Sequence, residues 1–346
     1  MVITIISTIF VFGLLVLFHE FGHFITAKFT GMRVDEFAIG FGPKLFSKKY
    51  GETKYSLRAL PLGGFNDIAG MDATDNPAGE RGFCEKPVLS RMIVILAGSF
   101  MNFVLPIILF FGIYATVGVG KPSVEPVIGG VIDDFPAARA GLQVGDKILT
   151  VDGEKVATWE DFLNKVKTLE TERAVTLTYE RNSQVTEILL TPQFDEKSKR
   201  ILIGVQNSII YEPQSIGVAF ISAVTHTKDI MIYMINALAD IFKAPSNAEL
   251  AGPIGIAKMA GQAAETGLIS LLNFAALLSL NLGIINLLPV PALDGGHFVN
   301  LVIEAVRGKP MSQKALMYTQ RAGMALLLLL TLYATTSDLA RVFFGR

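Results

Sequence analysis

Long apolar runs dominate the pattern of hydrophobic and polar positions along the chain. Four of them, at 2–29, 91–117, 268–290 and 316–336, are long enough to cross about 30 Å of hydrocarbon as α-helices. The first run has no basic segment before it and no small-residue cleavage site after it, so we interpret it as a retained helix. The pattern predicts a polytopic α-helical membrane protein with four transmembrane helices.

Residues 121–206 have a different pattern, in which short alternating segments replace the long apolar runs. The segments at 127–132, 145–153 and 200–205 are typical of strands, and an Asp-Gly turn closes the second. A helix is predicted at 158–169, where a threonine cap precedes apolar residues at helical spacing. These elements predict an α+β domain inserted between the second and third apolar runs.

The chain is therefore predicted to have four regions. These are 1–117 with the first two helices and a β segment, the inserted domain 121–206, a linker 207–267, and 268–346 with the last two helices. In the linker, the long amphipathic segment 216–242 is interrupted by four ionisable side chains, which are His226, Lys228, Asp229 and Asp240. We interpret it as a helix at the membrane surface. A fifth membrane span is the alternative, and it would reverse the orientation of everything that follows.

The distribution of lysine and arginine predicts the orientation in the membrane. Basic residues are concentrated at 28–58, after the first apolar run, and at 307–314, between the third and fourth runs. Both loops should face the cytoplasm, which places the N-terminus, the inserted domain and the C-terminus outside. Arg341 and Arg346, at the outer end, argue weakly against this orientation.

Composition excludes several classes of protein. The chain of 346 residues is 51% hydrophobic, and its net charge of −1 gives no overall basic field for nucleic acid. It has one cysteine, Cys84, so it can form neither an internal disulfide framework nor a cysteine-rich zinc site.

Two of the four histidines, His19 and His23, lie inside the first apolar run together with Glu20. Ionisable side chains are costly at that depth and demand a use or a partner. Histidines at i and i+4 project from one face of a helix and can bind one metal ion, usually zinc, while the glutamate acts on water. The alternative is a pair of hydrogen-bonded core histidines at a helix interface.

A catalytic zinc needs a third protein ligand and an open position for water. The best candidate is Asp294, the only acidic residue between Glu265 and Glu304. It follows an apolar run broken by two prolines, at the same predicted depth as the two histidines. His297, one turn further on, is a rival ligand, and a helix cap is the non-catalytic alternative for Asp294.

Several short motifs together resemble the site-2 protease family of intramembrane zinc metalloproteases, most closely its bacterial regulator-of-sigma-E branch. The resemblance covers nearly the whole chain. "FHEFGHF" (18–24) is similar to the zinc-binding helix, "PALDGG" (291–296) to the Leu-Asp-Gly motif, and "YSLRALPLGGF" (55–65) to a membrane-associated β segment. "AGSFMNF" (97–103) is similar to a motif of the second helix, with serine where the family often has proline. The insert resembles a single PDZ domain of the circularly permuted bacterial form.

The resemblance implies roles for individual residues. His19, His23 and Asp294 would bind Zn2+, and Glu20 would be the general base. The other implied residues would bind substrate or peptide. They are Asn286, Asn102, Gly63 and Gly64 for the substrate, and Leu202, Ile203, Gly204 and Val205 for a peptide carboxylate in the PDZ groove.

The expected function is hydrolysis of peptide bonds within transmembrane segments of single-span proteins, in the bacterial cytoplasmic membrane. The family suggests anti-sigma factors or remnant signal peptides as substrates, and the PDZ domain would either bind peptide C-termini or exclude bulky substrates. The alternative is a metal-binding transporter or scaffold without protease activity. It is less favoured, because a transporter would be expected to place polar residues along several spans, whereas here they are concentrated at one depth on two.

Overall fold

The computed structural model describes residues 1–71, 78–168, 173–195, 200–243 and 251–344. Leu169, the last residue of the helix predicted at 158–169, and Arg346 lie outside these ranges. The chain divides into two compact units. One comprises Met1–Tyr114 with Ile216–Arg346, and the other, Ala115–Ser215, is the inserted α+β domain.

The described residues form nine α-helices. They are α1 (Val2–Phe29), α2 (Val88–Thr116), α3 (Pro136–Arg139), α4 (Trp159–Lys167), α5 (Ile216–Lys243), α6 (Pro253–Thr266), α7 (Leu268–Asn286), α8 (Asp294–Arg307) and α9 (Gln313–Phe344). Two 3₁₀ turns, Gly79–Arg81 and Phe83–Glu85, lead into α2.

Five of the described helices are long and apolar enough to cross a membrane: α1, α2, α5, α7 and α9. The predicted class, a polytopic α-helical membrane protein, is thereby confirmed, but the count differs by one from the predicted four. The difference is α5, whose mean hydropathy of 1.2 is the lowest of the five, against 2.5 for α1. Its ionisable side chains lower this value to a level that fits either a span or a surface helix.

Helices α1 and α7 run in the same direction. Thr4, near the start of α1, lies beside Gly261 of α6, which leads directly into α7. Further along, Leu15 belongs to the same buried cluster as Leu271 and Ala275. The starts of α1 and α7 therefore lie at one end of this helical unit, and their C-terminal ends lie at the other.

Helix α2 runs the opposite way between them. Leu105 packs with Val11 in the first half of α1, whereas the earlier α2 residue Ala97 meets the later α1 residue Gly22. At that crossing a Cβ atom on Gly22 would overlap the Ala97 carbonyl group. The missing side chain brings the two backbones close together, which is how helices commonly pack in membranes.

A buried ion pair ties α8 to α2. The Arg91 guanidinium group donates to both carboxylate oxygens of Glu304, at 2.5 and 3.1 Å, and Arg91 is 7% exposed. Removing one partner of a buried pair leaves an uncompensated charge, which typically costs about 3–5 kcal/mol. The pair therefore fixes α8 against the helix that also contacts the histidines.

The twelve strands of the described residues are short except for the first two. They are β1 (Val34–Tyr50), β2 (Thr53–Ile68), β3 (Val119–Pro122), β4 (Ile128–Val131), β5 (Lys147–Val151), β6 (Glu154–Lys155), β7 (Val175–Arg181), β8 (Gln184–Leu190), β9 (Gln193–Asp195), β10 (Arg200–Leu202), β11 (Val205–Asn207) and β12 (Ile209–Glu212).

Strands β1 and β2 form the predicted β segment after the first helix. Residues 36–39 of β1 pair with residues 64–67 of β2 on one side and with residues 54–57 on the other. No other described strand pairs with residues 64–67. This stretch is therefore an edge, and it lies against α1.

A carboxylate inside the β segment holds its pairing together. Glu36 accepts hydrogen bonds from Ser56 at 2.5 Å, Arg58 at 2.8 Å and Lys44 at 3.2 Å. Burial acts to raise the pKa of Glu36, but these three hydrogen bonds outweigh it and lower the pKa to about 2. The carboxylate is therefore ionised at neutral pH, and its stabilising contribution is lost only as the pH falls below its unfolded value towards 2.

The inserted domain has its own core around a four-stranded sheet of order β6-β5-β7-β8. Ile148, Phe162 and Leu177 are among its buried residues, and Thr158 and Asp161 form a capping box at the start of α4. Pairing of β3 with β12 brings the chain's entry and exit side by side. Because of this pairing, the unit extends beyond the predicted 121–206 at both ends.

Candidate metal centre and active site

His19 and His23 lie one turn apart on α1, with their Nε2 atoms 3.3 Å from each other. Both rings press against α2 at Gly98, where a Cβ atom would overlap them. The i, i+4 spacing sets the distance between the two rings along α1. The absence of a side chain at Gly98 leaves room for both rings between α1 and α2.

Asp294, the first residue of α8, completes the group. Its Oδ2 lies 3.7 Å from Nε2 of His19, and its Oδ1 lies 3.7 Å from Nε2 of His23. In the part of the chain that the structure describes, these three form the one group of potential metal ligands whose ligand atoms all lie within 4.8 Å of one another. His297, the rival ligand, does not belong to it.

The three side chains fit a zinc ion. In tetrahedral coordination with Zn–N distances of about 2.0–2.1 Å, neighbouring ligand atoms lie about 3.3–3.4 Å apart. The observed separations of 3.3 and 3.7 Å are close to that. The three side chains are only 12%, 15% and 16% exposed, and three protein ligands leave one tetrahedral position open.

Each histidine has a partner for its other ring nitrogen. Nδ1 of His23 lies 2.8 Å from the Val94 carbonyl oxygen, so Nδ1 carries the proton and Nε2 is free to bind metal. Nδ1 of His19 lies 3.1 Å from the amide nitrogen of Asn102, whose Oδ1 is buried and forms no hydrogen bond with the described residues. Turning that amide over would let Oδ1 accept the Nδ1 proton. Asn102 is completely buried beside His19, where it can orient the imidazole. Its predicted contact with substrate stays a prediction.

Glu20 lies beside the ligand group, where it interacts electrostatically with His23 and Asp294. Asn66 of β2 holds it. The Asn66 side-chain nitrogen donates to Glu20 Oε2 at 2.7 Å and to the Glu20 main-chain oxygen at 2.8 Å. Asn66 was not among the residues predicted from the sequence. Its one signal was an asparagine at a position that proved to be inside a strand, where that residue is depleted.

The two predicted substrate glycines lie where β2 meets α1. A Cβ atom at Gly64 would lie 2.9 Å from Glu20 Cγ and 2.9 Å from Val16 Cγ1. Gly63 has a φ of +113° and lies against the ring of Phe41. Gly64 allows the strand to approach Glu20 closely, and contact of either glycine with substrate remains a prediction.

The loop between α7 and α8 positions Asp294. Asn286 ends α7, and its substrate contact also remains a prediction. Gly295 and Gly296 leave room for carbonyl groups of the preceding loop. Ala292 has a φ of 81°, a left-handed conformation that costs about 1–3 kcal/mol for a residue with a side chain. Strain of this kind is concentrated at functional sites.

Gly98→Ala is expected to lower zinc affinity by at least the ~10–100-fold that loss of an outer-shell partner costs, because the new methyl group displaces both imidazoles. Zinc bound by the purified variant is measured by competition with a chelator. Gly112→Ala is the matched control on the same helix, where a Cβ atom would meet no atom of the described residues within 4 Å. Wild-type zinc affinity in Gly98→Ala would contradict the geometry.

The predicted groove of the inserted domain is a cavity of about 630 Å³ beside α4. Its lining includes Phe162 and Val166 and all four predicted residues, which are Leu202, Ile203, Gly204 and Val205. Gly204 has a φ of +86°, and a Cβ atom there would overlap the Phe135 side chain. Substitution of Gly204 would therefore deform the loop whether or not it binds a peptide.

Comparison with known proteins relates the chain to a family of peptidases. The chain matches the model of peptidase family M50 over residues 7–330. It is 34% identical to the regulator of sigma-W protease RasP of Bacillus subtilis, covering 98% of this chain and 99% of that one. It is also 34% identical to the zinc metalloprotease RasP of Bacillus licheniformis, with 98% and 99% covered. A PDZ domain of an SdrC-like protein from Listeria monocytogenes matches 26% of this chain and 93% of its own, at 22% identity and a TM-score of 0.23.

The chain belongs to peptidase family M50, the site-2 proteases. It is a zinc metalloprotease and a multi-pass membrane protein. The family resemblance and the zinc cofactor expected from the sequence are confirmed.

Proposed function

We propose that this metalloprotease cleaves peptide bonds inside the transmembrane segments of single-span membrane proteins, in regulated intramembrane proteolysis. The proposal is supported mainly by the position of the candidate metal centre within a helix that can span a membrane. His19, Glu20 and His23 lie within α1, a 28-residue helix apolar enough to span a membrane. A relative is named for regulating sigma-W. Anti-sigma factors and remnant signal peptides are the substrate classes we propose.

Each site residue then has a role. His19 and His23 would hold the zinc ion through Nε2, and Asp294 through a carboxylate oxygen. When bound, the ion supplies a Lewis acid that polarises the scissile carbonyl and makes water more acidic. Glu20 accepts a proton from the attacking water and passes it to the leaving amine. Asn102 keeps His19 in the tautomer and orientation that leave Nε2 free.

The edge of β2 is suited to hold the substrate. A transmembrane helix must unwind before cleavage, because its amides are engaged in hydrogen bonds within the helix. Residues 64–67 pair with β1 on one side, and addition of a substrate strand to the other side would place its backbone near Glu20. We assign Gly63 and Gly64 to this contact, since glycine permits close backbone approach, and Asn286 to a second one.

The fold favours four membrane spans, with α5 at the membrane surface. Helices α1 and α7 start on the same side, and α2 ends on that side. From there the chain passes to α5 through the paired strands β3 and β12. A single crossing of the membrane by α5 would put the start of α7 on the side opposite to the start of α1. Helix α6 has 14 residues, or about 21 Å, which is too short to cross back.

The basic loops at 28–58 and 307–314 then face the cytoplasm, and the membrane is the bacterial cytoplasmic membrane. The inserted domain lies outside, where its groove is available to peptide C-termini. The competing role for this domain is exclusion of substrates that still carry a bulky outer domain.

Mass spectrometry of cleavage products tests the proposal. The purified protein is reconstituted in liposomes with a single-span substrate whose outer domain has been trimmed. The new termini are expected inside the apolar segment, and a zinc chelator is expected to stop their formation. Cuts confined to the soluble parts of the substrate would contradict intramembrane cleavage. No cutting at all would favour a metal-binding protein without protease activity.

A further inference from the structure

Glu20, the base of the proposed reaction, lies on α1 but is held by a residue of β2. Asn66 donates one side-chain NH2 group to two oxygens of Glu20, one on the carboxylate and one on the main chain. Two acceptors facing one amide settle its orientation, because the opposite orientation would set its oxygen against both. The Asn66 oxygen is buried and accepts no hydrogen bond from the described residues.

This arrangement spans the two elements that the reaction must bring together. Glu20 lies on α1, and Asn66 lies on the edge strand of β2, two residues after Gly64. Gly64 in turn lets that strand come within van der Waals distance of the Glu20 side chain. The hydrogen bonds that Asn66 donates therefore hold the Glu20 carboxylate and the strand in a fixed position relative to each other.

We propose that Asn66 is a positioning residue that fixes the Glu20 carboxylate and couples it to the substrate-facing edge of β2. The inference rests on the proposed cleavage activity. Without Asn66, the carboxylate would sample other rotamers and reach the attacking water in only a fraction of them. A misplacement of about 1 Å at a reacting group costs as much as 10²-fold in rate.

Measuring zinc content and Tm beside kcat separates this role from a structural one. Replacing Asn66 with leucine removes a buried oxygen that accepts no hydrogen bond from the described residues, but it also takes the donor away from two oxygens of Glu20, which typically costs about 1–3 kcal/mol. Asn66→Leu should therefore lower Tm, while the folded variant binds zinc like the wild type. A purely structural role predicts wild-type cleavage from such a variant, whereas a positioning role predicts a loss in kcat.

The experiment measures kcat, KM, zinc content and Tm for Asn66→Leu and Asn66→Ala in liposomes. We expect kcat to fall about 10–100-fold, less than for loss of the base itself, with KM and zinc content unchanged. Ser56→Ala is the matched control. Ser56 is a buried polar residue of the same strand, but it donates to Glu36 and not to Glu20.

Three outcomes would overturn the inference. Wild-type kcat in both Asn66 variants would show that Asn66 does not position the base. An equal loss of kcat in Ser56→Ala would show that only the integrity of the β segment matters. A wild-type protein that cleaves no transmembrane substrate would overturn the proposed function, and the inference with it. The first two outcomes leave the proposed function standing.

A second, independent observation concerns the third ligand. Ser99 is completely buried in α2, at the position where the family often has proline, and its hydroxyl donates to Oδ2 of Asp294 at 2.9 Å. We infer that Ser99 occupies one carboxylate oxygen and so leaves the other to bind zinc. Partners of this kind orient metal ligands, and their loss commonly lowers metal affinity ~10–100-fold.

Zinc affinity, measured by chelator competition without any substrate, tests this role. Ser99→Ala is expected to raise the zinc Kd about 10–100-fold. Ser7→Ala is the matched control, because Ser7 is a buried serine of α1 that donates to its own helix, at the Thr4 carbonyl. An unchanged Kd in Ser99→Ala, or an equal change in Ser7→Ala, would overturn the inference.

Discussion

Glu20→Gln is expected to bind zinc like the wild type and to cleave its substrate about 10²–10⁴-fold more slowly. Glutamine has nearly the same shape, and its side-chain oxygen can still accept the hydrogen bond from Asn66. It cannot accept a proton from water, so the step that generates the nucleophile loses its base. Parallel measurement of zinc content and kcat in liposomes separates this effect from loss of the metal.

Asp35→Asn is the control for this experiment. Asp35 is an acidic residue just beyond the end of α1 that pairs with Arg33, so it tests whether loss of any nearby carboxylate slows cleavage. Undiminished cleavage by Glu20→Gln would show that another group is the base. Loss of zinc from that variant would place Glu20 among the ligands.

Asp294→Ala is expected to lower zinc affinity by more than the ~10–100-fold typical of an outer-shell partner, because it removes one of three direct ligands. The two remaining imidazoles cannot complete a tetrahedral site alone. Cleavage should be lost with the metal. Zinc bound per chain, measured after dialysis against a chelator, reports the effect directly.

His297→Ala is the matched control for the third ligand. His297 lies one turn beyond Asp294 on α8 and is outside the group of three close ligand atoms. Its replacement should leave zinc affinity near the wild-type value. Full zinc retention in Asp294→Ala together with loss in His297→Ala would exchange the two assignments.

The long helices and the metal motif could be predicted because both follow from local periodicity. An apolar run of membrane length forms a helix whatever surrounds it, since its backbone groups must be hydrogen-bonded internally. The spacing of His19 and His23 then sets them on one face. Helix α5 was harder, because its mean hydropathy of 1.2 fits either a span or a surface helix. The relative directions of α1, α2 and α7 are what support the surface position that we propose for α5.

The partners of the site could not be predicted with the same certainty. Asn66 and Ser99 are separated from Glu20 and Asp294 by 46 and 195 positions in the chain. Hydrogen bonds at such separations depend on how helices and strands pack, which local patterns do not encode. Asn102 illustrates the same limit. Its motif predicted a place in the site, but only its complete burial against His19 indicated what it does there.

The sequence by itself determined the class of fold, the two histidines with their glutamate, and the aspartate that joins them. The fold class and the histidine motif depend on residue type and helical period, which act over a few residues, and Asp294 follows from its place after an apolar run at the same predicted depth. Only the tertiary structure decided how the site is held: close approach at Gly98, the contact of Asn102 with His19, and the hydrogen bonds from Asn66 to Glu20 and from Ser99 to Asp294. These contacts join separate elements, and their geometry exists only once the hydrophobic helices and the β segment have packed together.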